Sequence, residues 1–400
     1  MVKESCSCEF CICVSSTGIY SVKKIAYATS PFRRNSAMGF FKRAGNKAQT
    51  NGGKSGSTQA KRVTAPRTPD EVYGDDELYQ AAMALDAGSW SQAAALLDVR
   101  GEDGWTDRRL SKAISLEVAA DWAQTEQSGR AFAMLGVAQT TEAWEVRGNG
   151  LANTVGRDDA ITFLQMLKGA KATLEAAASV DSTLAAPHVH MLPVSMGLGE
   201  PVEERRKHFD EAHARVPFHA GAVGGASQAL SEKWGGDETE YIEFARWVER
   251  EAPDGHPARI AFPAAVQEGS LVAGMKAMQK GDKFGPALDG HLAKFEQEAF
   301  QSLVRLLDAI PEIAPPSLVD ALNEHFYISN PLNRQAPAVN MRLLKAINNR
   351  SSKYPWRNRD EFLDRQARTI WFARAVHDFP EATDQQLVAV YLAKHSKKAA

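Results

Sequence analysis

A spacing of 35 to 39 residues recurs along the middle of this chain and constrains its fold more than any other sequence feature. Patches pairing a small with a large apolar residue at helical spacing are separated by 38, 39, 35 and 35 residues, counted at Leu97, Leu135, Leu174, Phe209 and Phe244. A period in the middle thirties with two helices per unit is typical of helical solenoids, because one helical hairpin cannot bury its apolar face alone. The spacing predicts an all-α body, an α-solenoid of helical hairpins with additional C-terminal helices.

Start and stop signals support helices rather than strands. Asp237 is placed to cap a helix, with Glu240 three residues later reaching back to it. Pro253 then predicts the end of that helix, and a second apolar stripe runs to Ile310, where Pro311 ends it. Strand-like alternation is nearly absent, so the body is predicted to be helical throughout.

Charge divides the chain into an arm and a body. Residues 1–70 hold 12 Lys and Arg but only three acidic residues, which leaves a net charge of −11 for the rest of a chain whose total is −2. Low apolar content predicts that 1–70 is a disordered basic arm. Because Met38 begins a segment that looks like a natural start, 1–37 is interpreted as an over-extended start. Helical repeats are predicted over 71–290 and a C-terminal helical region over 291–400.

Two motifs in the arm imitate cofactor sites. The segment "AQTNGGKS", Ala48–Ser55, matches a phosphate-binding loop, but no buried strand precedes it and no helix follows it, so no nucleotide is predicted. The four cysteines lie too close together for an ordinary tetrahedral metal site, and the over-extended start is preferred; they are Cys6, Cys8, Cys11 and Cys13. We therefore predict no cofactor.

The repeat motifs resemble the tetratricopeptide-like superfamily. "FDEAHARVP" carries the aromatic residue, the alanine and the closing proline of such a repeat at Phe209, Ala212 and Pro217, and Leu174 with Ala177 repeats this more weakly. The strings "DW", "AWEVRG", "RVPFHAGA", "KWGG" and "EFAR", in this order over about residues 85–270, are similar to an uncharacterised actinobacterial group of helical-repeat proteins. This resemblance implies a fold and no particular activity.

Histidines cluster in the middle of the body. A His-x-His pair followed by further histidines suggests a zinc site with a place for water, which predicts a metal-dependent hydrolase as one alternative. The other interpretation is packing, or capping of carbonyls at turns, and we prefer it because His208 and His213 lie about 140° apart around a helix. The candidate residues are His188, His190, His208, His213 and His219.

Four further residues are candidates for binding. Arg205 and Arg206 lie in "EERRKHF", a pattern most typical of a solvated helix face. Lys233 and Trp234 lie in "KWGG", where the tryptophan suggests a binding hot spot, but the preferred interpretation is a tight turn with Trp234 buried against the next hairpin. None of these residues is predicted to be catalytic.

The predicted function is non-catalytic binding of a protein or peptide partner on a concave helical surface. Alternatives are the hydrolase that uses the histidine cluster and nucleic-acid association through the basic arm. No apolar run reaches the ~18 residues that a membrane helix requires, and all cysteines lie within the first 13 residues. We therefore predict no membrane span and a cytoplasmic location.

Overall fold

The computed structural model describes residues 75–100, 102, 105–148, 155–328, 337–348, 350, 359–378, 381–382, 386–387 and 390. Across these residues the regular elements are all helices and none is a strand, which confirms the predicted all-α body. The α-helices are α1 (Asp76–Asp86), α2 (Trp90–Arg100), α3 (Trp105–Ala113), α4 (Leu116–Glu126), α5 (Gly129–Arg147), α6 (Arg157–Val180), α7 (Ala186–Leu198), α8 (Val202–Arg215), α9 (Ala220–Ala229), α10 (Glu238–Glu251), α11 (Ala261–Gln279), α12 (Phe284–Ala309), α13 (Pro316–Ile328), α14 (Pro337–Ile347) and α15 (Arg359–Asp378). Two 3₁₀ helices, Glu232–Trp234 and Pro257–Ile260, flank α10.

The predictions for residues 1–70 lie outside the described residues. They comprise the disordered basic arm, the over-extended start at 1–37, the segment Ala48–Ser55 and the four cysteines. Among the helices that are described, none is both long enough and apolar enough to cross a membrane.

Side-chain caps begin several helices where the sequence places them. The carboxylate of Asp237 accepts hydrogen bonds from the backbone N–H groups of Thr239 and Glu240, at 2.9 and 3.2 Å, as predicted. The Glu240 carboxylate does not complete the cap, since it forms an ion pair with Arg206 of α8. An ion pair between two helices therefore replaces the predicted return contact from Glu240 to the start of α10.

Prolines end α10 and α12 as predicted. The two helices end at Glu251 and Ala309, each two residues before Pro253 or Pro311. However, α12 is continuous from Phe284, so the boundary drawn between residues 290 and 291 lies within a helix.

The middle of the body consists of two rows of helices. In the first row, α5 packs against α7, α7 against α9, and α9 against α11. The second row covers it: α6 packs on α5 and α7, α8 packs on α7 and α9, and α10 and α12 pack on α11. Neighbours within the second row touch each other far less than they touch the first row, so grooves remain between them.

The residues that mark the repeat spacing lie in the core. Leu97, Leu135, Leu174 and Phe209 are buried and Phe244 is half-buried. Their positions are not all equivalent, however. The two 35-residue steps join successive helices of the second row, α6, α8 and α10, whereas Leu135 lies on α5, the first-row partner of α6.

The C-terminal helices fold back on the N-terminal ones. Asp320 of α13 accepts hydrogen bonds from Arg108 and Arg109 of α3, at 3.0 and 2.7 Å, although 211 residues separate Arg109 from Asp320. Val319 beside it belongs to the same buried cluster as Leu110 and Trp122. The chain therefore closes on itself through α3 and α13.

Candidate functional site

Helix α8 separates two grooves of the second row. At about 100° per residue, Glu204 and His208 lie on one side of α8, while Arg206 and Asp210 lie nearly opposite. The first pair lines a pocket between α6 and α8, which we call groove 1. The second pair lines a pocket between α8 and α10, which we call groove 2.

Groove 1 has a volume of about 480 Å³ and brings two predicted histidines together. The rings of His188 (α7) and His208 (α8) have their centroids 6.2 Å apart. Lys171 of α6 donates a 2.6 Å hydrogen bond to Glu200, just before α8. The floor is apolar and includes Leu174 and other side chains of α6 and α7.

Electrostatics make groove 1 acidic. Burial lowers the pKa values of His188 and His208, so both rings are neutral at pH 7. Burial alone would raise the pKa of Glu200, but the hydrogen bond from Lys171 helps to lower it overall. That hydrogen bond also raises the pKa of Lys171. With the carboxylates of Glu175 and Glu204 at its wall, the groove carries more negative than positive charge.

Groove 2 is smaller and aromatic. Its volume is about 230 Å³, and Phe209 (α8), Phe244 and Trp247 (α10) form its walls over an alanine-rich floor from α9. The rings of Phe209 and Phe244 pack edge to face with centroids 5.0 Å apart, and those of Phe244 and Trp247 are 5.8 Å apart. Phe244 and Trp247 are half-buried, so part of this aromatic surface faces the groove.

His190 and His219 lie away from both grooves, in the interior. The His190 Nε2 atom is 3.6 Å from Oδ2 of Asp107, and within the described chain neither buried atom has a hydrogen-bond partner. Burial alone would raise the pKa of Asp107, but interaction with His190 and the charge of Arg130 lower it overall. His190 therefore lies at the contact between α7 and α3.

Two of the five histidines cap backbone amides. Nδ1 of His219 accepts from the N–H of Ala222 at the start of α9, and Nδ1 of His213 accepts from the N–H of Phe218. Packing, or capping of carbonyls, was the preferred interpretation, and these two rings accept hydrogen bonds from amides instead.

These caps bear on the metal-site hypothesis. Because Nδ1 of His213 and His219 accepts a hydrogen bond, Nε2 of each ring carries a proton, and a metal at Nε2 would have to displace that proton and break the cap. Over the residues that the structure describes, no group of three or more His, Cys, Asp or Glu side chains is arranged to hold a metal ion. The histidine cluster seen in the sequence is thus dispersed over one groove, one turn and the interior.

Arg205 and Arg206 point to different places. Arg205 is buried and donates to the carbonyl oxygens of Ala229 and Trp234, at 3.0 and 2.7 Å, so it joins α8 to the end of α9 and the turn after it. Arg206 is exposed at the rim of groove 2, where it pairs with Glu240.

Lys233 and Trp234 have packing roles in the described structure. Lys233 pairs with Glu268 of α11 at 2.7 Å. The Trp234 ring packs edge to face on Trp144 of α5, with centroids 5.8 Å apart. The ring is half-buried, so Trp234 packs beside the tight turn without being fully buried as predicted.

The sequence indicated some of the groove residues only as markers of the repeat spacing, and it gave no signal for others. Phe209 and Phe244 were predicted as repeat markers, and their 35-residue spacing was the signal that places them in equivalent positions. Lys171 and Glu200 belong to no motif, since 29 residues separate them and only the fold brings them together. No protein-family model, curated protein or solved structure matches the chain.

Proposed function

We propose that this chain is a non-catalytic, tetratricopeptide-like solenoid that binds a peptide segment of a protein partner across α8. Support for the repeat comes from the equivalent positions of Leu174, Phe209 and Phe244 on successive second-row helices. The distribution of the cysteines supports a cytoplasmic location for such a protein.

The observation that carries the proposal is groove 2. Tryptophan, tyrosine and arginine are enriched among the residues that dominate binding energy at protein interfaces. Here Phe244 and Trp247 line an open pocket of about 230 Å³, a size suited to one large apolar side chain. The charged rim of Arg206 and Asp210 is of the kind that surrounds such anchor pockets.

The position of the grooves modifies the original hypothesis of a concave surface. Both grooves lie between second-row helices, whereas α3 and its carboxylate Asp107 pack on the first row. The proposal therefore assigns partner binding to the second row.

A selection of random dodecapeptides displayed on phage against the purified full-length protein tests this function. We expect enrichment of peptides with a large apolar residue. Because hot-spot truncations cost more than about 1.4 kcal/mol, Trp247→Ala should weaken the binding of a selected peptide by at least about tenfold.

The matched control is Trp371→Ala, which truncates another half-buried tryptophan, on α15. Thermal unfolding should show that both variants are folded. If the protein enriches no peptide over a blank surface, or if Trp247→Ala binds the selected peptides like the unaltered protein, the proposal is wrong.

A further inference from the structure

Groove 1 differs in chemistry from groove 2, although both flank α8. Groove 2 is walled by aromatic rings, whereas groove 1 presents carboxylates above an apolar floor. A peptide that crosses α8 would place side chains in both grooves. The chemistry of groove 1 therefore determines which second side chain the peptide carries.

The negative charge of groove 1 is only partly balanced within the described chain. Lys171 neutralises Glu200 at 2.6 Å, and Lys207 pairs with Glu204 at 2.6 Å on the exposed surface of α8. Glu175 of α6 has no ion pair among the described residues. Glu175 and Glu204 stand on the two helices that bound the groove, so a cation between them would meet a carboxylate on each side.

The floor of groove 1 suits an aliphatic chain. Leu174 and Met191 are buried, and Ala178 completes an apolar surface below the carboxylates. Long basic side chains bury their methylene groups on such surfaces and keep their charged ends at a polar rim. A small hydrated ion would leave this surface without a partner.

The two imidazoles add hydrogen-bond acceptors. His188 and His208 lie with ring centroids 6.2 Å apart, and each neutral ring presents one acceptor nitrogen. A guanidinium has five donors in a plane and is able to serve two carboxylates and an imidazole together, whereas an ammonium has three donors on one atom. The volume of about 480 Å³ accommodates the longer group.

We propose that groove 1 receives an arginine side chain of the peptide whose apolar residue occupies groove 2. This inference rests on the proposed function. A helix is about 10 Å across and an extended chain advances about 3.3 Å per residue. The arginine should therefore lie about three or four positions along the peptide from the apolar anchor.

The same phage selection, compared between variants, tests this inference. The unaltered protein should enrich arginine at this fixed distance from the apolar residue. The Glu175→Gln/Glu204→Gln double variant should retain the apolar preference and lose the arginine preference. The control double variant Glu203→Gln/Glu251→Gln removes two exposed carboxylates outside the groove and should enrich the same peptides as the unaltered protein.

A synthetic selected peptide gives the quantitative measurement. Replacing its arginine by citrulline, which keeps the shape and removes the charge, should weaken binding to the unaltered protein by about tenfold, the value of one charge-assisted hydrogen bond. The same replacement should have little effect on the Glu175→Gln/Glu204→Gln variant.

The two proposals fail in different ways. Enriched peptides that share an apolar residue without arginine, or equal affinity of the arginine and citrulline peptides, would overturn the arginine assignment and leave peptide binding in place. A lysine at this position that binds as tightly as arginine would also overturn it. Absence of any enriched peptide would overturn both proposals.

Discussion

At the scale of single residues, three histidines cap backbone amides, and each cap depends on which ring nitrogen carries a proton. His213, His219 and His256 each accept a backbone amide hydrogen bond at Nδ1, and each cap requires that nitrogen to be unprotonated. The sequence indicated histidines near turns, but the choice between an amide and a carbonyl partner depends on how the ring turns in the folded environment. Sequence spacing does not contain that information.

His219 should make the protein sensitive to acid. Burial lowers its pKa from 6.5 to about 4 in the folded state, whereas a histidine in the unfolded chain titrates near ~6.5. Below that pH the unfolded state binds a proton that the folded state excludes. His219 therefore makes its full contribution to the free energy of unfolding above pH 6.5. As the pH falls towards 4 this contribution is lost, which lowers the free energy of unfolding by about 3 kcal/mol.

His219→Asn tests this prediction, because asparagine also caps helices but does not titrate. In urea unfolding between pH 7 and 4.5, the variant should lose less stability than the unaltered protein. His188, His208 and His256, whose pKa values are also lowered by burial, should leave a residual dependence. Equal losses in the two proteins would contradict the assignment.

At the scale of elements, α5 and α6 approach each other at a glycine. A Cβ atom on Gly136 would lie 2.6 Å from Cδ2 of the buried Leu174, whereas one on Gly169 in α6 would meet nothing within 4 Å. Because the consecutive helices α5 and α6 pack against each other, the markers Leu135 and Leu174 belong to one hairpin, although their spacing resembled a repeat.

The two glycines should respond oppositely to alanine. Gly136→Ala should destabilise the fold by about 1–3 kcal/mol, because the added methyl group overpacks the α5–α6 contact. Gly169→Ala should stabilise it by about 0.5–1 kcal/mol, since alanine is the better helix former and has room here. Chemical denaturation measures both changes, and a Gly136→Ala variant as stable as Gly169→Ala would refute the close approach.

The elements could be predicted in part from local chemistry. The cap at Asp237 and the prolines at 253 and 311 identified helix ends, because caps and prolines act within one turn of the chain. The grooves could not be predicted in this way. Lys171 and Glu200, like Phe209 and Trp247, meet only after distant helices pack, and no local signal sets that geometry.

At the scale of the whole molecule, the contact between α3 and α13 is the feature least visible in the sequence. Arg108, Arg109 and Asp320 belong to no motif, and the predicted repeats implied contacts between neighbouring hairpins only. Contacts between neighbouring hairpins define a solenoid, whereas this contact joins an early helix to a late one.

Asp320→Asn should loosen that closure. Arg109 and Asp320 are 15% and 20% exposed, and removing the carboxylate charge should cost about 1–2 kcal/mol. Hydrogen exchange should become faster in α3 and α13. Asp308→Asn, which breaks a more exposed pair with Arg342, should change stability by less than about 0.5 kcal/mol. Equal effects of the two substitutions would contradict a special role for Asp320.

The joining of α3 to α13 also restricts how such a protein evolves. Open repeat arrays lengthen or shorten readily when a gene segment is duplicated or lost, because each unit contacts only its neighbours. Here, one more or one fewer hairpin between the two helices would carry Asp320 out of reach of Arg109. Proteins that evolve from this one should therefore keep the number of hairpins between α3 and α13 and vary the side chains that line the grooves.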